Sequence, residues 1–537
     1  MDWWREAVFY EIYVRSFQDG TGDGVGDLPG IIRRLDYLND GTPRSLGIDA
    51  VWLTPINPSP LFDFGYDVSD YCDVDPVFGT LGDVELLLAE AHRRGIRVIL
   101  DLVPNHSSHL HPWFQASRQS RTDPQRDWYC WRDPAPDGGY PNNWTSNFGG
   151  PAWTFDAHTG QYYLHSFLPE QPDLNHRHPG VQQAMEKVIR FWLGRGVDGF
   201  RVDVVHKLLK HPDLPDNPPA PPDAADPVRH YGGQQHVYDE DRPEVHDLLR
   251  RWRRLLRAYG DRTMVGEVYL LDPARVATYY GSGDDELPLA FNFAFMWSPW
   301  DAAAFRREVD RIEALLPRGA QPTYVLSSHD APRHRSRFDD PVWGAARARL
   351  AALMLLTLRG TPFLYYGEEI GMRDGLVPSG RVRDPLGQRY PALNRDPART
   401  PMQWTGGPGA GFTTAADAWL PISEDAVHCS VAAQDADADS LLNFYRRALW
   451  YRRGSVALRR GSYRPLNGPA DSFLYVREHA DERRVVALNF SGERRTCSLA
   501  ESGEGVVELS TQPGTTPRRV RLDRCELGPV EGLVVRC

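Results

Sequence analysis

The sequence predicts an α/β protein: a (β/α)8 TIM barrel with a small domain inserted after the third strand and an all-β sandwich domain at the C-terminal end. Three observations carry this reading. Strand-like runs at 7–13, 50–54, 97–103, 199–204, 263–268, 289–293, 324–327 and 362–366 alternate with helical patterns, the order of a parallel barrel. Between the third and fourth runs lies a stretch rich in Trp, Asn, Gly and Pro, such as Pro141-Asn-Asn-Trp-Thr-Ser-Asn-Phe-Gly-Gly150, too long for a simple connection. Beyond about 455 the pattern becomes short alternating segments, including Ser472-Phe-Leu-Tyr-Val476, Arg484-Val-Val-Ala-Leu-Asn-Phe490 and Gly532-Leu-Val-Val535.

The boundaries follow. Residues 1–106 open the barrel, 107–173 form the insert, 174–454 complete the barrel with a subdomain at about 372–430, and 455–537 form the sandwich. At 537 residues and 41% hydrophobic, the chain is long enough to bury a large core. The Pro-rich run 211–222 would elsewhere read as an interdomain linker. Here it lies between the fourth and fifth strands, so it is expected to hang over the barrel mouth.

Composition excludes several classes. A net charge of -11 disfavours nucleic acid and anionic lipid as partners and says nothing against a neutral sugar. The N-terminal Met1-Asp-Trp-Trp-Arg-Glu does not read as a signal peptide, and no run is long enough to span a membrane. Cys72, Cys130, Cys429, Cys497, Cys525 and Cys537 lack paired spacing, which fits a reducing cytoplasm. The arginine-rich run 250–257 carries apolar residues at helical spacing and reads as an amphipathic helix with a solvated basic face. A monomer or small homo-oligomer is expected.

Four strand ends carry ionisable residues: Asp101-Leu-Val-Pro-Asn-His106, Gly199-Phe-Arg-Val-Asp203, Met264-Val-Gly-Glu267 and Val325-Leu-Ser-Ser-His-Asp330. Catalytic groups of a barrel sit at the C-terminal ends of its strands. One such residue is more often a cap or an ion-pair partner, but four on different strands are hard to explain by packing. Asp203 and Glu267 supply the two carboxyl groups that glycoside cleavage requires.

These stretches resemble the α-amylase superfamily, family 13 of the glycoside hydrolases, and in particular its α-glucosidase and oligo-1,6-glucosidase branch. Further matching pieces are Gly47-Ile-Asp-Ala-Val-Trp-Leu-Thr-Pro55, Gln171-Pro-Asp-Leu-Asn175, Gly360-Thr-Pro-Phe-Leu-Tyr-Tyr-Gly-Glu-Glu-Ile-Gly371 and Ala398-Arg-Thr-Pro-Met-Gln-Trp404. The resemblance implies that Asp203 is a nucleophile forming a glucosyl enzyme and that Glu267 enters protonated, as acid and then base. The two lie roughly 5 Å apart in retaining enzymes. Asp330 would grip the sugar's 2- and 3-hydroxyls, Arg201 would keep Asp203 ionised, and His106 and His329 would donate to hydroxyls. Asp63 with Arg399 would bind the 4- and 6-hydroxyls of a terminal glucose and close the pocket, Tyr66 would stack on its ring, and Phe148 and Phe167 would line the entrance.

No cofactor is expected for catalysis. Asp19, Thr21, Asp23, Val25 and Asp27 resemble a loop that holds a structural Ca2+, with Thr21 where relatives usually carry Asn. Ser328 stands where the family usually has Asn, and Val204 is the residue type associated with α-1,6 cleavage. The expected activity is exo-acting, retaining release of glucose from short α-glucosides such as maltose or isomaltose, with some transglucosylation. A dedicated α-glucosyltransferase or trehalose-converting enzyme is the nearest alternative. A non-catalytic protein like the transporter heavy chains is a remote one.

Overall fold

Eight short parallel strands form the barrel in this computed structural model, which describes residues 2–221, 230–500, 502–514 and 517–537. They are Phe9–Ile12, Ala50–Leu53, Arg97–Leu102, Gly199–Val202, Thr263–Gly266, Leu289–Ala290, Thr323–Val325 and Thr361–Tyr365. Hydrogen bonding joins the seventh, eighth, first, second, third, fourth, fifth and sixth in that order. A parallel bridge from Phe291 to Thr323 then links the sixth strand to the seventh and closes the ring.

Alternation along each strand sorts side chains to the barrel axis or to the helix layer. Phe9, Ala50, Trp52, Ile99, Val265, Leu289, Phe291, Val325 and Phe363 form one buried cluster in the interior. Phe9 and Phe363 stack at 4.3 Å between ring centroids. Tyr10, Val51, Leu53, Val98 and Leu100 join the larger cluster shared with the surrounding helices. Those helices include Leu28–Leu38, capped by Asp27, and Leu81–Arg93, which starts on a Thr80/Asp83 capping box.

The helix Val245–Arg257 buries Leu248, Leu249, Trp252, Leu255 and Leu256. Its outward arginines pair locally, Arg250 with Asp247 and Glu286, Arg251 with Glu186 and Arg257 with Asp284. The basic run is therefore a helix face on which Arg250, Arg251 and Arg257 are paired with acids.

After the third strand come the helix Pro112–Gln119 and a three-stranded antiparallel sheet, Trp131–Arg132, Gln161–Leu164 and Trp153–Asp156. Its small core of Trp144, Ala152, Trp153 and Leu164 includes Leu214 from the Pro-rich loop. That loop is tied to the insert further by Asn142 Nδ2 to the Leu214 carbonyl at 2.9 Å and Trp144 Nε1 to the Pro215 carbonyl at 2.8 Å. Pro222, the last residue of the run, lies outside the described residues. Following the helices Leu441–Gly454 and Val456–Arg460, the chain ends in a six-stranded antiparallel sheet and a two-stranded pair around an apolar core of Leu474, Val485, Val507 and Leu533. Among the described residues no helix is long and apolar enough to cross a membrane.

Candidate active site

Asp203 and Glu267 follow directly on the fourth and fifth strands, and the ladder hydrogen bonds run on through both. Asp203 N donates to the Leu102 carbonyl and Glu267 N to the Val202 carbonyl, each at 2.9 Å, and Val205 N reaches the Glu267 carbonyl at 3.0 Å. The sheet itself thus sets where both carboxyl groups begin.

Arg201 sets where they end. Its Nη1 donates to Asp203 Oδ1 at 2.7 Å and to Asp101 Oδ1 at 2.9 Å, and its Nη2 lies 2.9 Å from Glu267 Oε2. Residue 201 pairs with residue 101 in register, so the guanidinium starts between two carboxylates of neighbouring strands. Glu267 Oε2 also accepts the Val204 N–H at 3.0 Å. Val204 holds φ 34° and ψ 50°, left-handed backbone that a β-branched residue adopts only under constraint.

Burial raises the Asp203 carboxyl well above its ordinary range, against the pull of Arg201 and with reinforcement from Glu267 and Asp101. The shorter contact of Arg201 to Asp203 favours charge there. Asp101 is pushed up to about 6, again by burial and against Arg201. Tyr66 Oη and Trp52 Nε1 donate to its other oxygen at 3.0 and 3.2 Å.

Asp330 lies past the seventh strand with its side chain 36% exposed, while Asp203 and Glu267 retain only 7% and 11%. It is the open carboxylate of the three. Burial acting alone would raise it, but His329, Arg395 and Arg399 together hold it well below the ordinary range. His329 stands 3.0 Å from Asp330 Oδ2 through Nε2 and 2.6 Å from Glu11 Oε1 through Nδ1. Burial disfavours its charge, yet Asp330 and Glu11 carry it up to about 9. Its ring stacks on Tyr66 at 5.5 Å, and Nε2 also meets Tyr66 Oη at 2.7 Å. Both ring nitrogens of His329, expected as a donor to sugar hydroxyls, have protein partners here. Ser328 Oγ accepts the Asp330 N–H at 3.2 Å.

Asp63, expected to work with Arg399 at the pocket's closed end, has Arg395 as its ion-pair partner. Arg395 Nη2 donates to Asp63 Oδ1 at 2.9 Å, and Arg395 Nη1 reaches Asp330 Oδ1 at 3.1 Å. Arg399 is 1% exposed, donating Nε to the His329 carbonyl at 2.7 Å and Nη2 to Asp330 Oδ1 at 2.8 Å. The reason lies in Asp384, which takes the Nε of Arg395 and aims its fork at Asp63. Burial raises the Asp63 carboxyl, with Arg395 as its main counterweight.

The structure brings Asp63, Tyr66, His106, Phe148, Phe167, Asp203, Glu267 and Asp330 to the wall of one pocket, together with Val204 and Arg395. Phe148 and Phe167 meet edge to face at 5.5 Å, and Arg395 lies over the Phe148 ring at 5.2 Å. His106 is buried and kept neutral, its pKa lowered to about 4 by burial. Its Nε2 meets the Tyr66 carbonyl at 3.0 Å and the Gln171 amide at 3.2 Å, and that amide also donates to Asp63 Oδ2. Sequence reasoning missed Arg395, Glu11 and Gln171. A glutamate within the apolar first strand was the available signal for Glu11.

The Asp19–Asp27 loop is separate from this pocket. Asp19 accepts the Thr21, Gly22 and Gly24 N–H groups and the Thr413 hydroxyl, Asp23 accepts the Val25 N–H, and Asp27 accepts the Gly20, Thr21 and Gly30 N–H groups. Among the described residues no group of three or more His, Cys, Asp or Glu side chains is arranged to hold a metal ion. In this structure the loop's carboxylates accept its own N–H groups, and Asp27 caps the helix Leu28–Leu38.

A closed parallel barrel with an Asp and a Glu at adjacent strand ends, bridged by one arginine and facing a third carboxylate, defines a glycoside hydrolase. The chain belongs to the α-amylase family: residues 11–461 match the alpha amylase, catalytic domain. It is 43% identical to a probable alpha-glucosidase of Rhizobium meliloti over 93% of this chain and 91% of that protein. Against an oligo-1,6-glucosidase of Parageobacillus thermoglucosidasius it is 37% identical over 91% and 90%. Among solved structures it superimposes on an alpha-glucosyl transfer enzyme, XgtA, with a TM-score of 0.92 at 39% identity, covering 100% of this chain and 99% of that one. The trehalulose synthase MutB from Pseudomonas mesoacidophila MX-45 gives 0.90 at 34% identity, with coverage of 100% and 99%.

Proposed function

We propose that the protein is an exo-acting, retaining α-glucosidase that releases glucose from the non-reducing ends of short α-glucosides. The observation that carries this is the Arg201 fork, which holds Asp203 and Glu267 on one cation at the floor of a pocket whose far side is crossed by the Asp63–Arg395 pair. Asp203 attacks the anomeric carbon while Glu267 protonates the departing oxygen, and Glu267 then takes a proton from water to free the sugar. Asp330, charged and open to the pocket, is placed to hold sugar hydroxyls. The named relatives support α-glucosides as the substrate class.

Transfer to a sugar or another acceptor is the second reading. The transfer enzymes among the structural neighbours support it as a side activity. Product analysis on maltose, isomaltose and sucrose tests both readings. Free glucose as the main early product supports hydrolysis, and disaccharide isomers or oligosaccharides far exceeding glucose from the start would overturn it.

A further inference from the structure

Arg395 reaches the pocket from a loop, and a long flexible side chain on a loop does not choose its direction unaided. Its partner Asp384 lies eleven residues earlier and is fully buried. Asp384 Oδ1 and Oδ2 accept Arg395 Nε at 3.1 and 3.0 Å, Oδ2 accepts the Arg395 backbone N–H at 2.8 Å, and Nη2 adds a further contact to Oδ1. The same carboxylate caps the helix Pro385–Arg389 through the Leu386 N–H. Asp396 binds this clip from behind, taking the Arg383 and Asp384 N–H groups on one oxygen. Residues 384–395 thus form a strap whose two ends are joined by Asp384 and Arg395.

The strap also touches the insert. A side chain at Gly149 would begin 2.1 Å from Tyr390 Oη, and one at Gly150 would begin 2.8 Å from Arg389 Nη2. Both glycines follow Phe148, the ring beneath the Arg395 guanidinium. With its apex on the insert and its ends clipped together, the strap has one way to present Arg395.

We propose that Asp384 is a positioning residue for substrate selection: by fixing the Arg395 fork on Asp63 and Asp330, it makes the pocket's closed end specific for a terminal hexose carrying a C6 hydroxymethyl group. This rests on the α-glucosidase reading above. Asp384 touches no reacting atom. Its effect passes through Arg395, so it belongs in KM and in discrimination more than in the bond-breaking step.

The test compares wild type, Asp384→Asn and Asp384→Glu on p-nitrophenyl α-glucoside and p-nitrophenyl α-xyloside, which lacks the C6 group, alongside thermal melting. Asn keeps the helix cap but removes the charge. For Asp384→Asn the glucoside KM should rise by about tenfold or more with kcat held within about threefold, and the glucoside-to-xyloside ratio of kcat/KM should fall by a similar factor. Asp384→Glu should recover part of that ratio. An unchanged ratio, or a melting loss with equal falls on both substrates, overturns the inference while leaving the glucosidase reading intact. A wild type that releases nothing from either substrate overturns both.

Discussion

Arg395 Nη2 donates to Asp63 Oδ1 at 2.9 Å although 332 positions separate the two residues in sequence. Asp63 is 5% exposed and its carboxylate depends on that guanidinium for its charge. Removing one partner of a buried pair leaves the other unsatisfied, which is more damaging than never having the pair. Arg395→Ala should therefore lower kcat/KM on maltose by about two orders of magnitude, roughly 3 kcal/mol of transition-state stabilisation. Steady-state kinetics check this, and a near-normal KM would return the sealing role to Arg399.

The choice between these two arginines was not legible in the sequence. They stand four residues apart in one polar stretch of short turns, both reach Asp330, and the tie to Asp384 that the fold gives Arg395 has no local signal. Glu11 was hidden for a related reason, since a single carboxylate in Phe9-Tyr-Glu-Ile12 matters only once the seventh strand brings His329 across the barrel. By contrast the barrel order and the four strand ends were readable, because strand alternation and the placement of polar residues at strand ends are local signals. Asp203, Glu267 and Asp330 meet on one pocket wall as that reading requires. In the loop around Asp19 and Asp27 the acids alternate with glycines, and in the fold they accept the loop's own N–H groups, a pairing that the spacing alone does not show.

Asp203→Asn should fold normally and lose turnover by about four orders of magnitude or more, since the amide is isosteric but cannot attack the sugar carbon. Circular dichroism and glucose release at high enzyme concentration are the measurements. Activity within tenfold of wild type, at about 1.4 kcal/mol, would place the nucleophile elsewhere.

His329 supplies a pH dependence of definite sign. Its pKa is raised from 6.5 to about 9 in the folded protein, so its stabilising contribution is complete below 6.5 and is lost as pH climbs through 9. Asp330 is shifted the other way, and its contribution is present above 3.8 and lost as pH falls further. Melting temperature should accordingly decline between pH 7 and 10, and His329→Gln should flatten that decline. An equal slope in wild type and variant would contradict the pairing of His329 with Asp330 and Glu11.

Val204 touches chemistry through its backbone and specificity through its methyl groups. The N–H to Glu267 survives any side chain, whereas the pocket wall does not. Val204→Thr should lower the isomaltose-to-maltose ratio of kcat/KM by about fivefold or more, within the 1 to 3 kcal/mol that one methyl group commonly discriminates. Paired kinetics on the two disaccharides decide it, and a constant ratio would remove Val204 from the linkage preference.

Covalent glucosylation of Asp203 is the step on which the proposed reaction turns. Incubation with a slow fluorinated α-glucosyl donor, followed by peptide mass analysis, tests it most directly. One added fluorosugar is expected on the peptide that contains Asp203, absent in Asp203→Asn. A label on Glu267, or turnover of the donor with no labelled peptide and β-configured product, would contradict it.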